Sequence, residues 1–325
     1  MNTSKYKYFC KNYFSLRMNN PNTGKRFKYF NVSSKVALAS FFSGYLAFAV
    51  LGVFFLSLLA NPARNQLRRR LKSAQKLNPI EYSILSDAEI LGHRGVRMGA
   101  PENTLKAIQL AADSGADGVE IDARFTKDGV AILMHDPSVS RTIKGAKKKS
   151  TKKIRNLNFS DIKKLTTRGG EKIPTLEEAL KLTQKLDMVV NLEIKSDDNV
   201  TEQNLDYILS LVNKYGNKSK FSISSFDEKI VKIIKEKDPL IITGLINYGV
   251  ELDWIKKAKW AKVDYVNFHL MGLQLNSMEK IILCKQNNFA IKTWPVNDLK
   301  TAHELISSGL DGIISDNPKV LMARV

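Results

Sequence analysis

Seven side chains able to do chemistry stand in tight groups along the chain: His93-Arg94, Glu120-x-Asp122, His135 and Glu193-x-Lys195. Three carboxylates offer an all-oxygen donor set, which suits a hard cation such as Mg²⁺ or Ca²⁺ rather than zinc. The two imidazoles titrate, unperturbed, near neutral pH and can give or take protons. Arg94 and Lys195 supply positive charge for an anion. Cation, acid and base, and anion clamp are together what cleavage of a phosphate ester requires. The metal offsets charge on the phosphoryl oxygens, and a protonated imidazole delivers a proton to the leaving oxygen. Each group taken alone is ambiguous, because a single Glu-x-Asp or strand-end histidine is more often structural. His303 reads as structural, and His269 fits either role. The coincidence of the seven carries the inference.

The spacing says which elements must hold them. Residues two apart on a strand share a face, so Glu120 and Asp122 point one way and Ile121 the other; Glu193, Ile194 and Lys195 repeat that pattern. Each group sits at the end of a short apolar run: "AEILGH", "DGVEID", "VAILMHD" and "MVVNLEIK". Further runs are "KFSISSF", "LIITGLIN", "VDYVNFHL", "FAIKTWPVN" and "DGIISD", with Asn267, His269, Lys292, Trp294 and Asp316 near their ends. Between most of them lie amphipathic stretches such as "NTLKAIQLAADSGA", "TLEEALKLTQKL", "DEKIVKIIKEK", "NSMEKIILCKQNN" and "LKTAHELISSG". This alternation predicts an α/β fold, and roughly eight units fit a closed (β/α)₈ TIM barrel whose reactive residues gather at the carboxyl ends of the strands. Nine runs are one too many. The Asp128-Gly129 pair between the second and third signals a hairpin there. The echo between "SGADGVEID" (114–122) and "SGLDGIISD" (308–316) predicts a repeated helix-to-strand turn. The Lys-rich insertion between His135 and Thr175 reads as a solvated loop, with a contact to anionic lipid or substrate as the alternative.

Charge is unevenly distributed over the 325 residues. The net +19 comes mostly from an arm, residues 1–80, that holds 14 of the 51 Lys and Arg and none of the 32 acidic residues. The nearly balanced body excludes a nucleic-acid-binding stripe. Two cysteines, Cys10 and Cys284, cannot build a disulfide framework. From Val36 to Ala60 the chain runs without a charge, long enough for a helix to cross a ~30 Å hydrocarbon layer. The expected organisation is therefore a basic arm (1–35), a transmembrane helix (36–60), a basic juxtamembrane stalk (61–86) and a catalytic barrel (87–325). It implies a single-pass membrane protein whose basic flanks meet anionic headgroups.

The segment "HRGVRMGAPENTLKAIQLAADSGADGVEIDARFTKDGVAILMHD" closely resembles the signature of glycerophosphodiester phosphodiesterases. "RT" (141–142), "IPTLEEAL" (173–180), "NLEIK" (191–195), "WPVN" (294–297) and "SDNP" (315–318) follow in the family's order. With the apolar segment in front, the chain looks most like the membrane-bound members of eukaryotes. The resemblance implies a barrel like that of phosphatidylinositol-cleaving phospholipases C, with one divalent cation, Mg²⁺ or Ca²⁺. Glu120, Asp122 and Glu193 match the family's metal ligands, and His93 and His135 its acid/base pair. Arg94 and Lys195 match its phosphate-contacting cations. Asn103 falls in the Pro-Glu-Asn-Thr motif, as an N-cap or a pocket residue, and Trp294 where an aromatic borders the substrate. The implied reaction is hydrolysis of a glycerophosphodiester to sn-glycerol 3-phosphate and an alcohol. Some relatives act instead as lysophospholipases D, releasing lysophosphatidic acid by cleaving the equivalent bond.

Overall fold

In a computed structural model, which describes residues 88–146, 152–196 and 200–322, the apolar runs become a ring of parallel strands. They are β1 (Glu89–His93), β2 (Gly118–Phe125), β3 (Ala131–Leu133), β4 (Val189–Ile194), β5 (Phe221–Ser225), β6 (Ile242–Asn247), β7 (Tyr265–His269), β8 (Ala290–Trp294) and β9 (Gly312–Ser315). The order around the ring is β1-β9-β8-β7-β6-β5-β4-β2, and pairing of β1 with β2 closes it. The supernumerary strand is β3, which leaves the parallel ring and runs antiparallel to the end of β2, with Ala123 opposite Leu133. A (β/α)₈ barrel with a hairpin at Asp128-Gly129 is thus what the pattern produces.

The amphipathic stretches form helices around the ring: α1 (Leu105–Asp113), α2 (Phe159–Ile162), α3 (Leu176–Lys185), α4 (Glu202–Tyr215), α5 (Glu228–Lys237), α6 (Trp254–Ala261), α7 (Leu270–Leu275), α8 (Ser277–Gln286), α9 (Leu299–Ser307) and α10 (Pro318–Met322). Local chemistry starts them. Thr175 and Glu178 form a reciprocal capping box at α3, and Asp298 accepts from the Thr301 amide at α9. Helix α3 then buries Leu176, Ala179, Leu180 and Thr183. The first three of these belong to the same apolar cluster as the outward-facing Val119 and Ile121 of β2 and Val190, Leu192 and Ile194 of β4. Truncating Leu180 to Ala in that layer would cost about 2–5 kcal/mol.

The two echoing segments do the same job. Each helix ends at a glycine with positive φ, Gly115 and Gly309, and the following aspartate braces a neighbouring strand. Asp117 accepts from the Ile90 amide at 2.8 Å, and Asp311 from the Ile291 amide at 2.7 Å. Lys292 also serves this lower end of the barrel rather than its mouth. It pairs with Glu89 and lies over the Tyr265 ring at 4.7 Å.

The insertion differs from a plain solvated loop. Its described lysines face outward, but Val139, Ile143, Ile154, Ile162 and Ile173 bury themselves with Ile132 and Met134 in a small core of their own. Apolar residues interleaved with the lysines make that possible. Residue 303 is exposed on α9, and Cys284 is buried in the core, so neither belongs to a site.

The membrane placement requires correction. Among the described residues no helix is long and apolar enough to cross a membrane. The 36–60 segment, the basic arm, the stalk and Cys10 lie outside the described residues.

Candidate active site

Strand alternation and register assemble the site at the carboxyl end of the barrel. Pairing sets His93 of β1 opposite Glu120 of β2, and Asp122 of β2 opposite Glu193 of β4. Glu120, Asp122 and Glu193 are all buried, each with a carboxylate oxygen within 4.8 Å of the others. His93, Arg94, His135 and Lys195 converge on the same pocket, with Trp294 on the facing side. These side chains thus lie together at one end of the barrel.

The turn after β1 is built to bring backbone and side chain close. Arg94 and Gly95 both adopt positive φ (55° and 78°). A side chain at Gly95 would place its Cβ 2.5 Å from the Ala107 backbone, so glycine is required there. In this turn the Arg94 amide donates to Glu120 Oε2 at 2.9 Å. Asn103, also at positive φ, is not the helix cap; Thr104 is, accepting from the Ala107 amide. Asn103 instead grips Asp122 twice, donating from Nδ2 to Oδ2 at 2.7 Å and accepting the Asp122 amide at 3.0 Å.

Charge is packed densely here. Lys195 bridges Glu193 and Asp122, the latter at 2.7 Å, and Arg94 Nε lies 3.4 Å from Asp122 Oδ2. Burial opposes ionisation of Asp122, but Lys195 and Arg94 outweigh it and hold this carboxyl well below the usual range. Glu120 goes the other way. Burial, then repulsion from Asp122 and Glu193, pushes it well above the ordinary value. Burial likewise raises Glu193. Three buried carboxylates against two cations leave an unbalanced negative charge, and a bound divalent cation is the group this all-oxygen set fits.

Each histidine is oriented by an aspartate. His93 Nδ1 lies 2.6 Å from Asp316 Oδ1, and His135 Nδ1 lies 2.8 Å from Asp136 Oδ1. A carboxylate only accepts, so each pair places the proton on Nδ1 and leaves Nε2 for exchange. Burial lowers His93 against the opposing pull of Asp316.

Opposite the carboxylates stands an aromatic wall. Trp294 meets His269 edge-on at 4.8 Å, and Tyr248 lies 5.0 Å from Phe226 and 6.3 Å from Trp294. His269 thus belongs to the rim of the site. Buried Asn267 lines the pocket between wall and carboxylates, with Oδ1 unpartnered.

Several contributors were not assigned from sequence: Glu102, Asp136, Arg141, Phe226, Tyr248, Asn267, Asn297 and Asp316. Asn297 and Arg141 sat inside recognised motifs, and Asp316 and Asn267 at strand ends, so a signal existed. Phe226 and Tyr248 lie just past β5 and β6 in ordinary loops, and nothing in their local pattern marks them.

With this geometry in view, comparison with known proteins is informative. Residues 93–320 match the model of the Glycerophosphoryl diester phosphodiesterase family. A protein named "Glycerophosphodiester phosphodiesterase" from Caldanaerobacter subterraneus subsp. tengcongensis is 30% identical over 245 residues, covering 73% of this chain and 97% of its own. Among solved structures, a phosphodiesterase from Oleispira antarctica in complex with the product sn-glycerol-3-phosphate superposes with a TM-score of 0.65 at 25% identity, covering 72% of this chain and 95% of that one. A glycerophosphodiester phosphodiesterase from Parabacteroides distasonis gives a TM-score of 0.61 at 26% identity, covering 71% of this chain and 93% of its own. The fold, the order of the motifs and the extent of the match agree, and the chain belongs to the glycerophosphoryl diester phosphodiesterase family.

Proposed function

We propose that the chain hydrolyses glycerophosphodiesters to sn-glycerol 3-phosphate and an alcohol. The observation that carries this is the convergence of three buried carboxylates with two Asp-oriented histidines in one pocket. Glu120, Asp122 and Glu193 would hold one divalent cation, Mg²⁺ or Ca²⁺, which when bound offsets charge on the phosphoryl oxygens. Arg94 and Lys195 border that trio and supply positive charge to the phosphodiester. His93 and His135 form the acid/base pair: one Nε2 takes a proton from the attacking hydroxyl and the other returns one to the leaving oxygen. Attack by water forms one P–O bond and breaks one to give the products directly. Attack by the glycerol 2-hydroxyl instead gives a cyclic phosphate that water opens in a second such exchange, with no redox change in either route. Asn103 holds the Asp122 carboxylate that would ligate the cation, and Trp294 lines the pocket where the substrate would lie.

A second substrate class has its own support. Beside the aromatic wall, Leu252 is 98% exposed, Val250 66% and Met271 71%. Gly249 and Gly272 bring the loop bearing Val250 and Leu252 against helix α7, which bears Met271, since a Cβ on Gly272 would lie 2.9 Å from Gly249 Cα. An apolar rim at the mouth suits an acyl chain. The alternative substrate is therefore a lysophospholipid, including the N-acyl-lysophosphatidylethanolamine type, with lysophosphatidic acid released by the same site.

Purified full-length chain should hydrolyse glycerophosphoinositol only with a divalent cation present. Inactivity across Mg²⁺, Ca²⁺ and Mn²⁺ on both glycerophosphoinositol and lysophosphatidylcholine would sink both alternatives. Turnover of lysophosphatidylcholine exceeding that of glycerophosphoinositol under matched conditions would select the second.

A further inference from the structure

Arg141 lies in the loop after β3, away from the three clustered carboxylates, yet four charged hydrogen bonds converge on its guanidinium. Its Nη1 and Nη2 donate to both oxygens of Glu102, at 2.7 and 2.5 Å. Its Nε and Nη2 donate to both oxygens of Asp136, at 2.6 and 3.0 Å. Only a planar guanidinium presents donors in the fork that two carboxylates can share in this way. Each carboxylate then passes the constraint to one of the groups assigned to chemistry. Glu102 accepts from Arg94 Nη1 at 2.8 Å, and Asp136 holds His135 Nδ1 at 2.8 Å. The chain Arg94–Glu102–Arg141–Asp136–His135 therefore runs unbroken from the loop after β1 to the loop after β3.

The backbone of Arg141 is itself fixed. Arg168, from the far end of the basic insertion, donates to the Arg141 carbonyl at 2.7 Å and to the Ser140 carbonyl at 3.1 Å. The insertion thus contributes a brace for the residue that spans the two loops. Without Arg141, Glu102 and Asp136 would face each other as two partly buried carboxylates with no cation between them, and both loops would relax to separate them.

We infer that Arg141 is a positioning residue for the hydrolysis proposed above, locking His135 and Arg94 in register through Asp136 and Glu102. Misplacing a reacting group by about 1 Å costs roughly 100-fold in rate, and that sets the effect expected. The inference rests on the proposed reaction, and the test separates the two. With purified full-length protein and glycerophosphoinositol, Arg141→Ala should lower kcat/KM by about 100-fold while the thermal midpoint stays within about 2 °C. Arg141→Lys should recover little, because one ammonium cannot grip both carboxylates bidentately. A double-mutant cycle gives the readout that a structural role would not move. Adding Asp136→Asn to Arg141→Ala should cost far less than Asp136→Asn costs alone, since the two act in series. Multiplicative losses in the cycle, or an Arg141→Ala variant within threefold of wild type, would overturn the positioning role. An inert wild-type protein would instead remove the proposed reaction itself.

Discussion

His93 and Asp316 join the first strand of the barrel to the turn after the last, their Nδ1 and Oδ1 atoms 2.6 Å apart at the upper end of the β1–β9 pair. Asn297 holds the aspartate from behind, donating to Asp316 Oδ2 at 3.0 Å and accepting its amide at 2.8 Å. Laying the first strand beside the last and setting the tautomer of one histidine are therefore linked. Replacing Asp316 with Asn puts an amide where only an acceptor fits, and the imidazole can then bond through the wrong tautomer. Asp316→Asn should reduce kcat by 10²-fold or more with a small change in KM, read by steady-state kinetics. A variant retaining more than a third of wild-type kcat would show that the pair does not set the tautomer.

The same aspartate predicts a pH dependence of stability. Burial alone would raise the Asp316 carboxyl, but the hydrogen bond and charge of His93, with Asn297 and Arg97, bring it down to about 2. Its folded value lies below its unfolded one, near 3.9, so its contribution is fully present above about pH 4 and is lost as the pH falls toward 2. Urea unfolding at pH 5, 4 and 3 should show wild type losing more stability on acidification than Asp316→Asn. Parallel curves for the two proteins would contradict this.

Glu120 should behave oppositely in the presence and absence of cation. Its carboxyl is raised by burial and by the repulsion of Asp122 and Glu193. Glu120→Gln relieves that repulsion, so without divalent cation the variant should melt no lower than wild type. With Mg²⁺ or Ca²⁺ added, wild type should gain in thermal midpoint and the variant should gain little, because ligand binding stabilises only the form that binds. Activity of the variant should fall below 1% of wild type. An equal cation-induced shift in both proteins would remove Glu120 from the donor set.

Gly95 tests the turn that carries Arg94. With φ at 78° and the Ala107 backbone 2.5 Å from where a Cβ would stand, Gly95→Ala must displace either β1's turn or helix α1. A loss of more than about 2 kcal/mol in denaturant unfolding is expected, together with loss of activity. A fully stable, active variant would show that the turn can relax without cost.

Cys284 should be chemically silent in the native protein. Burial pushes its thiol up to about 12, so almost no thiolate forms near neutral pH. Thiol titration at pH 8 should count Cys284 only after denaturant is added. Rapid native labelling of that position, located by peptide mapping, would show that the core opens readily.

The barrel was legible because its physics is local and repeated. Apolar runs of strand length and amphipathic helices between them recur along the chain, and a Gly-x-Asp turn returns at two of the helix-to-strand connections, so Glu120, Asp122 and Glu193 could be assigned to one mouth. The Asp-Gly pair at 128–129 marked the one place where the repeat breaks. Long-range partnership was harder to read. Nothing near Glu102 in sequence points to Arg141, 39 residues away, and His93 finds Asp316 at a separation of 223 residues. The same limit applied to Asn103, whose place before a helix left a cap and a pocket residue both open, whereas its side chain crosses to Asp122 on the next strand. The lysines of the insertion drew attention to solvent and masked the isoleucines packed between them. The 36–60 segment lies outside the described residues, and among those no helix could cross a membrane.

The antiparallel placement of β3 divides the pocket by origin. Carboxylates and His93 stand on staves of a closed hoop, each supported by a neighbour on both sides. His135 stands instead just past a short leaf outside the hoop, paired with the end of β2 on one edge, bridged from Ile132 to Thr175 on the other, and weighted by its own small apolar knot. A short leaf outside the hoop should loosen on warming before the hoop opens, so activity should fade before the barrel melts, with the three carboxylates still in place.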